Sequence, residues 1–171
     1  MYPFISIIDK KVTIDLNGKT VAVNPSLDAN MLAVFHSAGT GELTLKDSSE
    51  EKIGAVNVVM ADGTKAYSMF SALGSSKMYI ESGNYELDES RNTGALVYVN
   101  ISNILTVTGG NFYLGNAGTL ANNSPWIFNT SGQNSKNVTV YGGTYNANVF
   151  NQHYIFEVQS SIEYAIEENS N

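Results

Sequence analysis

A short strand-and-turn unit recurs along most of the chain, and this repetition constrains the fold more than any other feature. The clearest copy, at residues 136–145, alternates apolar and polar side chains before it reaches two glycines. Alternation with a period of two residues is typical of a strand with one buried face, and glycine is typical of the turn that follows. Because one such unit cannot bury its apolar face alone, the copies are expected to stack on one another.

Equivalent positions of the copies define the columns of a stacked fold. The apolar positions lie 27 to 35 residues apart, and a second apolar segment follows within each interval. Each coil is therefore predicted to contain at least two strands, paired in parallel with those of the next coil. The residues between the apolar positions are mostly threonine, which suits an outward sheet face. The predicted inward column consists of Ile14, Leu45, Ile80, Val107 and Val140.

A column of glycines marks a corner after these strands. Gly83, Gly110 and Gly143 are equivalent positions, where a positive φ or a close backbone approach is predicted. Each glycine is followed two residues later by an aromatic residue, whose ring is expected to turn inward and fill the corner. These aromatic residues are Tyr85, Phe112 and Tyr145.

The columns resemble those of the right-handed parallel β-helix repeat proteins, which share the pectate-lyase-like fold. The phrases VTIDLNGKT, GELTLKDSS and VTVYGGTY are similar to repeats in surface proteins of gut bacteria and in the tailspikes and fibres of their bacteriophages. The resemblance implies an all-β fold, a right-handed parallel β-helix (β-solenoid) of about five coils at residues 1–160. Residues 161–171 are predicted to form a short atypical C-terminal cap with an acidic tail. A capping-box pattern at 160–163 predicts a short helix there, and one more strand is the alternative.

Length and charge limit the functions that the chain can have. With 171 residues, 43% of them hydrophobic and 15% charged, the chain fits one folded domain, and it contains no apolar run near the ~20 residues that span a bilayer. A net charge of −7 argues against nucleic-acid binding, which depends on Lys and Arg. The chain has no cysteine, so a disulfide framework and thiolate chemistry are excluded.

Two other sets of residues contain side chains of the types that bind metal ions. The acidic segment 46–52 lacks the alternating oxygen ligands and fixed glycine of a calcium loop, so it is interpreted as a solvated turn. His36 and His153 have no neighbours at a spacing that suggests metal ligands. We therefore predict neither a metal nor a cofactor.

Glu86, Asp88 and Glu89 form the densest charged stretch and are the weak candidates for catalysis. Loops held by a rigid scaffold are common places for active sites. Two suitably separated carboxylates could hydrolyse a glycosidic bond, one as an acid and the other as a base or nucleophile. Nothing in the spacing of these three residues favours that role, so catalysis is the less favoured interpretation.

Four aromatic residues are candidates for stacking on a host glycan, because one face of a sugar ring is apolar. Tyr79, Tyr113 and Tyr141 fall on or near the predicted outward face. Trp126 alternates with Ile127, so it is either a stacking platform or, as the more favoured alternative, a core residue.

The N-terminal strand is a candidate assembly site. Phe4, Ile5, Ile7 and Ile8 form an apolar strand with no predicted cap below it, and open strand edges favour pairing with another chain. We expect either that the chain is cut from a longer one or that another chain covers this end. The family resemblance implies a homotrimer, or docking onto a larger virion or surface protein.

The favoured function is a non-catalytic structural or attachment module of a phage virion, as a fibre or spike, or of a bacterial cell surface. A glycan-binding β-helix module is the first alternative, and a polysaccharide lyase or glycoside hydrolase is the second. The same kind of coil serves all three functions, so a groove with aromatic residues and paired carboxylates would favour the alternatives. The predicted location is the virion or the extracellular cell surface, without membrane insertion.

Overall fold

The described part of the chain is all-β. Fifteen strands lie within it, and it contains no helix of the length and hydropathy needed to cross a bilayer. The strands recur in groups of three, here called repeats, and each repeat contributes one strand to each of three sheets. The computed structural model describes residues 5–24, 33–59, 66–100, 103–117, 119, 125–131 and 138–146.

The first repeat contains β1 (Ile5–Ile8), β2 (Lys11–Asp15) and β3 (Thr20–Val23). The second contains β4 (Ala33–Ala38), β5 (Glu42–Lys46) and β6 (Ala55–Val58). The third contains β7 (Ala66–Ala72), β8 (Lys77–Ile80) and β9 (Asn84–Leu87). The fourth contains β10 (Ser90–Asn100), β11 (Ile104–Val107) and β12 (Asn111–Leu114). The fifth contains β13 (Trp126–Ser131), β14 (Val138–Val140) and β15 (Thr144–Tyr145).

The repeats stack through three parallel sheets. Sheet A is formed by the first strand of each repeat, sheet B by the second and sheet C by the third. Every described strand pair is parallel, which confirms the predicted β-solenoid. The described residues form about three turns. This count is slightly lower than the five coils predicted.

The predicted inward column is part of one hydrophobic core. Leu45, Ile80 and Val107 are at most 1% exposed and Val140 is 5% exposed. Ile14 in the first repeat is partly buried and packs against the same core. Each residue pairs in register with its equivalent in the next repeat. Since each fully buried aliphatic side chain contributes about 1.5–3 kcal/mol, such columns provide much of the driving force for stacking.

The predicted glycine corner lies between sheets B and C. Its three glycines have φ values of 114 to 125°. A Cβ at Gly143 would lie 2.5 Å from the hydroxyl of Tyr145, which donates a hydrogen bond of 2.7 Å to the Gly142 carbonyl. The ring of Phe112 stacks with those of Tyr85 and Tyr145 at centroid distances of 5.4 and 5.1 Å. The corner aromatics therefore turn inward, as predicted.

Sheet A is buried on both faces in its central part, whereas sheets B and C each have an outer face with accessible side chains. Neighbouring residues of a strand point to opposite faces, yet both members of four central pairs in sheet A are at most 2% exposed. His36, in the same sheet, is 8% exposed, and its Nδ1 lies 2.6 Å from Ser71 Oγ. A ligand can therefore reach sheets B and C more readily than sheet A. The four pairs are Val34–Phe35, Met69–Phe70, Leu96–Val97 and Ile127–Phe128.

The segment interpreted as a solvated turn contains a buried carboxylate instead. Asp47 is 1% exposed. Its side chain accepts three hydrogen bonds of 2.6 to 3.1 Å, from the backbone N–H groups of Gly18, Ser49 and Gly54, and its own N–H donates to Ser82 Oγ at 2.9 Å. Gly18, Asp47 and Ser82 follow the sheet B strands of three successive repeats. The interpretation was wrong for Asp47 because stacking brings these turns together around it.

The predicted N-terminal strand faces both the core and the solvent. Ile7 is 5% exposed and belongs to the core cluster, whereas Ile5 and Ile8 are 39% and 56% exposed. Among the described residues of the predicted assembly set, Ile5 and Ile8 therefore offer side chains for assembly. Phe4, His153 and the cap predicted at 161–171 lie outside the described residues.

Candidate functional site

A groove on the outer face of sheet C is the candidate site. Its volume is about 400 Å³, within the range of ~300–1,000 Å³ that is typical of small-ligand sites. The groove extends across β6, β9, β12 and β15, so four repeats contribute to it. The outward-facing side chains that line it are Asn57, Asn84, Glu86, Asn111, Tyr113, Thr144 and Asn146.

The parallel register arranges most of these side chains in two rows along the solenoid. Adjacent strands lie ~4.8 Å apart, so each row presents a new functional group at about this interval. The first row consists of Asn57, Glu86 and Tyr113. The second row consists of Asn84, Asn111 and Thr144.

Hydrogen bonds made by the asparagine side chains fix the orientation of Asn84 and Asn111 in the second row. The Nδ2 of Asn84 donates to the carbonyls of Lys52 and Gly54 at 3.1 and 3.0 Å. The Nδ2 of Asn111 then donates to Asn84 Oδ1 at 2.7 Å. This chain of bonds sets the orientation of the Asn111 amide and leaves its Oδ1 without a partner among the described residues. The row therefore offers an acceptor to a ligand.

Asn146 closes one end of the groove and has a structural role. Its Oδ1 accepts the backbone N–H of Leu114 at 3.0 Å, and its Nδ2 donates to the Leu114 carbonyl at 3.1 Å. The side-chain amide thus continues the hydrogen-bond ladder of sheet C where β15 has ended. Asn116 makes the same pair of bonds with the backbone of Ser90, at 3.0 and 2.8 Å.

Glu86 and Tyr113 are the chemically distinctive pair in the groove. They are direct neighbours across β9 and β12, and Tyr113 is 48% exposed. Within the described structure, Glu86 forms no ion pair and Tyr113 forms no ring contact or hydrogen bond. An exposed ring can stack on the apolar face of a sugar, while carboxylate and amide oxygens accept hydrogen bonds from its hydroxyl groups.

No family model, curated protein or solved structure shows significant similarity to this chain. A β-solenoid alone does not specify a function, because the same fold carries unrelated activities. The chemistry of the groove is therefore the main guide to function.

The other aromatic candidates do not join Tyr113 in the groove. Tyr79 is half-buried on the outer face of sheet B, where Thr44 and Thr106 flank it on the neighbouring strands. Tyr141 follows β14 and is 43% exposed. Trp126 is 8% exposed, which leaves little of its ring for stacking and fits the core alternative. Of the four aromatic candidates, Tyr113 is the one among the described residues that line the groove.

Of the three carboxylates considered for catalysis, Glu86 is the one that lines the groove. Asp88 and Glu89 follow the end of β9 and are not among the described lining residues. Glycoside hydrolysis by the usual mechanisms needs two carboxyl groups on either side of the bond. In the described ranges, no three His, Cys, Asp or Glu side chains come close enough to hold a metal ion.

Charges on the outer face of sheet B are mutually paired, unlike Glu86. Glu42 lies between Lys11 and Lys77 in register, with N–O distances of 3.1 and 3.2 Å. Hydrogen bonds from Lys11 and Lys77 lower the pKa of Glu42. Lys11 and Lys77 therefore already have an acidic partner in Glu42. A charged ligand would have to compete with these ion pairs.

Tyr113 and Glu86 are site residues that the sequence predicted, whereas the asparagines beside them were not predicted. Asn84 and Asn111 lie four residues after Ile80 and Val107, at the same offset from the inward column. Aligning the repeats beyond the glycine corner would have revealed this polar row. The closeness of Asn57 to Glu86 follows only from the pairing of β6 with β9.

Proposed function

We propose that this chain is a non-catalytic attachment module that binds an oligosaccharide in the groove of sheet C. The observation that supports this proposal most is that the exposed ring of Tyr113 lies next to Glu86, whose carboxylate forms no ion pair within the described structure. Both side chains lie beside asparagine amides in a concave site of about 400 Å³. Groups that repeat along the solenoid at ~4.8 Å intervals suit a ligand that is itself extended. An oligosaccharide has that shape and offers both hydroxyl donors and an apolar ring face.

A binding role is favoured over an enzymatic one. The described lining of the groove has one carboxylate, Glu86, and catalysis of glycosidic cleavage normally needs two. Binding requires only that hydrogen-bonding groups and an aromatic ring be held in place. The rigid sheet meets this requirement, since both rows are set by backbone register.

For the biological setting we propose a virion fibre or spike, or a bacterial cell surface. The support for this is the resemblance of the repeats to those of pectate-lyase-like β-helices from gut bacteria and their phages. A glycan of the host or of a neighbouring cell would be the ligand in either setting. This assignment belongs to the proposal, as does the extracellular location.

A Tyr113→Ala variant is expected to lose most of its binding to any oligosaccharide that the unmodified protein recognises. Removal of a stacking ring should lower the affinity by about tenfold or more. The ligand would first be found on an array of plant, fungal, bacterial and animal glycans, and affinities would then be measured by calorimetry.

Tyr141→Ala is the matched control, because Tyr141 is similarly exposed, at 43% against 48%, but lies outside the groove. It should bind as the unmodified protein does. Equal losses in both variants would contradict the assignment of the groove, and the absence of any glycan ligand would contradict the proposed function.

We also propose that the end of the solenoid formed by the first repeat makes an assembly contact with further copies of this chain. Among the described residues, β1, β2 and β3 are the terminal strands of their sheets, and Ile5, Ile8 and Val21 are 39%, 56% and 38% exposed there. Open edges beside apolar side chains favour pairing with another chain. A homotrimer is the form that the sequence resemblance implies.

The double variant Ile5→Ser and Ile8→Ser is expected to weaken self-association more than it weakens the fold, because both side chains are exposed in a single copy. Sedimentation velocity over a range of concentrations measures association, and thermal unfolding measures the fold. Ile7→Ser is the contrasting variant, since Ile7 is buried and its loss should mainly lower stability. A concentration-independent monomer would rule out the assembly contact.

A further inference from the structure

The described lining of the groove of sheet C is rich in hydrogen-bond acceptors and carries a single formal charge, which is negative. Among its described lining residues there is no lysine, arginine or histidine, and Glu86 is the single carboxylate. The Nδ2 of Asn111 donates to Asn84, and the Oδ1 of Asn111 has no partner among the described residues. A ligand that fits these groups must supply hydrogen-bond donors. A positive charge on the ligand would be balanced by the carboxylate of Glu86.

Glu86 and Tyr113 together form a cation-binding arrangement. They are register partners on adjacent strands, so their side chains leave the same face of the sheet ~4.8 Å apart along the solenoid. An ammonium group can interact with the face of an aromatic ring and with a carboxylate at the same time. Neither side chain has another described partner that would first have to be displaced.

The net charge of the whole chain also favours a cationic ligand. A net charge of −7 attracts cationic ligands and repels anionic ones. A uronate or sialate would bring its carboxylate next to Glu86, with no described basic lining residue to compensate. The carboxylate Glu42 on sheet B differs, because two lysines already neutralise it.

We infer that the groove selects an oligosaccharide that carries free, unacetylated amino groups. The inference rests on the proposed function and adds the chemical class of its ligand. An amino sugar supplies an ammonium group to Glu86 and Tyr113, hydroxyl donors to Asn57 and Asn111, and an apolar ring face. Its N-acetylated counterpart keeps the ring and the hydroxyls but loses the charge. An acidic sugar reverses the sign of the charge.

The test compares three oligosaccharides of equal length: an oligomer of glucosamine, its fully N-acetylated form and an oligomer of a uronic acid. Calorimetry at about pH 6, where amino groups are protonated, should show the tightest binding for the glucosamine oligomer and the weakest for the uronate. Glu86→Gln should lower affinity for the glucosamine oligomer by about tenfold and should weaken binding of the N-acetylated form much less, because the amide keeps an acceptor for its hydroxyl groups. Glu81→Gln, which removes an exposed carboxylate outside the groove, should change neither affinity.

The possible results separate this inference from the proposed function. Binding of the N-acetylated form as tight as that of the free amine, with no effect of Glu86→Gln, would overturn the inference and leave oligosaccharide binding intact. Equal weakening by Glu81→Gln, or equally tight binding of spermine, would also overturn it, because the attraction would then be to the acidic surface as a whole. Failure of every saccharide to bind would overturn the proposed function itself.

Discussion

A Val107→Asp variant is expected not to fold. Val107 has no exposed surface and lies in register between Ile80 and Val140 in sheet B. Aspartate there would lose the apolar contacts of valine and bury an unpaired carboxylate, at a cost of about 4 kcal/mol or more. That cost is comparable with the total stability of ~5–15 kcal/mol of a typical domain. Circular dichroism and size-exclusion chromatography would detect the loss of the folded state.

Thr106→Asp is the control for the same strand. Thr106 is the neighbouring residue of β11, faces outward and is partly exposed, so an aspartate there keeps its contact with water. This variant should fold, with a small loss of stability. A Val107→Asp protein that unfolds at the same denaturant concentration as Thr106→Asp would be incompatible with a stacked core.

Asp47→Asn is expected to destabilise the protein more than the loss of any exposed carboxylate. The carboxylate of Asp47 accepts hydrogen bonds from three backbone N–H groups, those of Gly18, Ser49 and Gly54. An amide would present an NH₂ group to at least one of these donors and leave it buried without an acceptor, which is costly. The midpoint of chemical denaturation at neutral pH should fall clearly.

The same residue should make stability depend on pH in the acid range. Burial by itself raises the pKa of Asp47, but the hydrogen bonds from Gly18, Ser49 and Gly54 outweigh it and lower the pKa from 3.8 to about 2. A carboxylate with a depressed pKa stabilises the folded state fully above its unfolded pKa, and this contribution is lost as the pH falls through the folded value. The stability difference between the unmodified protein and Asp47→Asn should therefore narrow from about pH 4 to about pH 2.

Asp15→Asn is the control for this pH effect. Hydrogen bonds from Ser48 also lower the pKa of Asp15, but its side chain is exposed, and its ion pair with Lys46, at 3.6 Å, lies at the surface. Exposed pairs of this kind contribute little, so this variant should lose less stability than Asp47→Asn, and its loss should narrow less between about pH 4 and about pH 2. If Asp47→Asn lost no more stability than Asp15→Asn, the buried hydrogen bonds of Asp47 could not be what holds the turns of successive repeats together.

The sequence was sufficient to predict that parallel strands stack into a β-solenoid. The apolar alternation around Ile80 and Val107 showed which residues face inward, because side chains on a strand alternate with a period of two. Glycine at 110 and 143 predicted the corner because the backbone there has a positive φ, which side chains other than glycine rarely adopt. Strand period, columns and parallel stacking are local patterns repeated along the chain, so they can be recognised before any contact is known.

The candidate site depended on the tertiary structure. Glu86 was weighed with Asp88 and Glu89 because they are close in sequence, but in the structure its neighbours are Asn57 and Tyr113, on the strands to either side. Such neighbours are determined by the register between repeats. The unequal loops between repeats hide that register in the linear sequence.

The sequence by itself therefore determined the strands, their inward columns and the parallel β-solenoid. Only the tertiary structure decided that Asp47 is buried, that Ile7 faces the core while Ile8 faces solvent, and that Tyr113 lies beside Glu86 in a groove. The physical reason is the range of the interactions. Strand periodicity is set by the backbone over a few residues, whereas burial and site geometry arise from residues about thirty positions apart that stacking brings into contact.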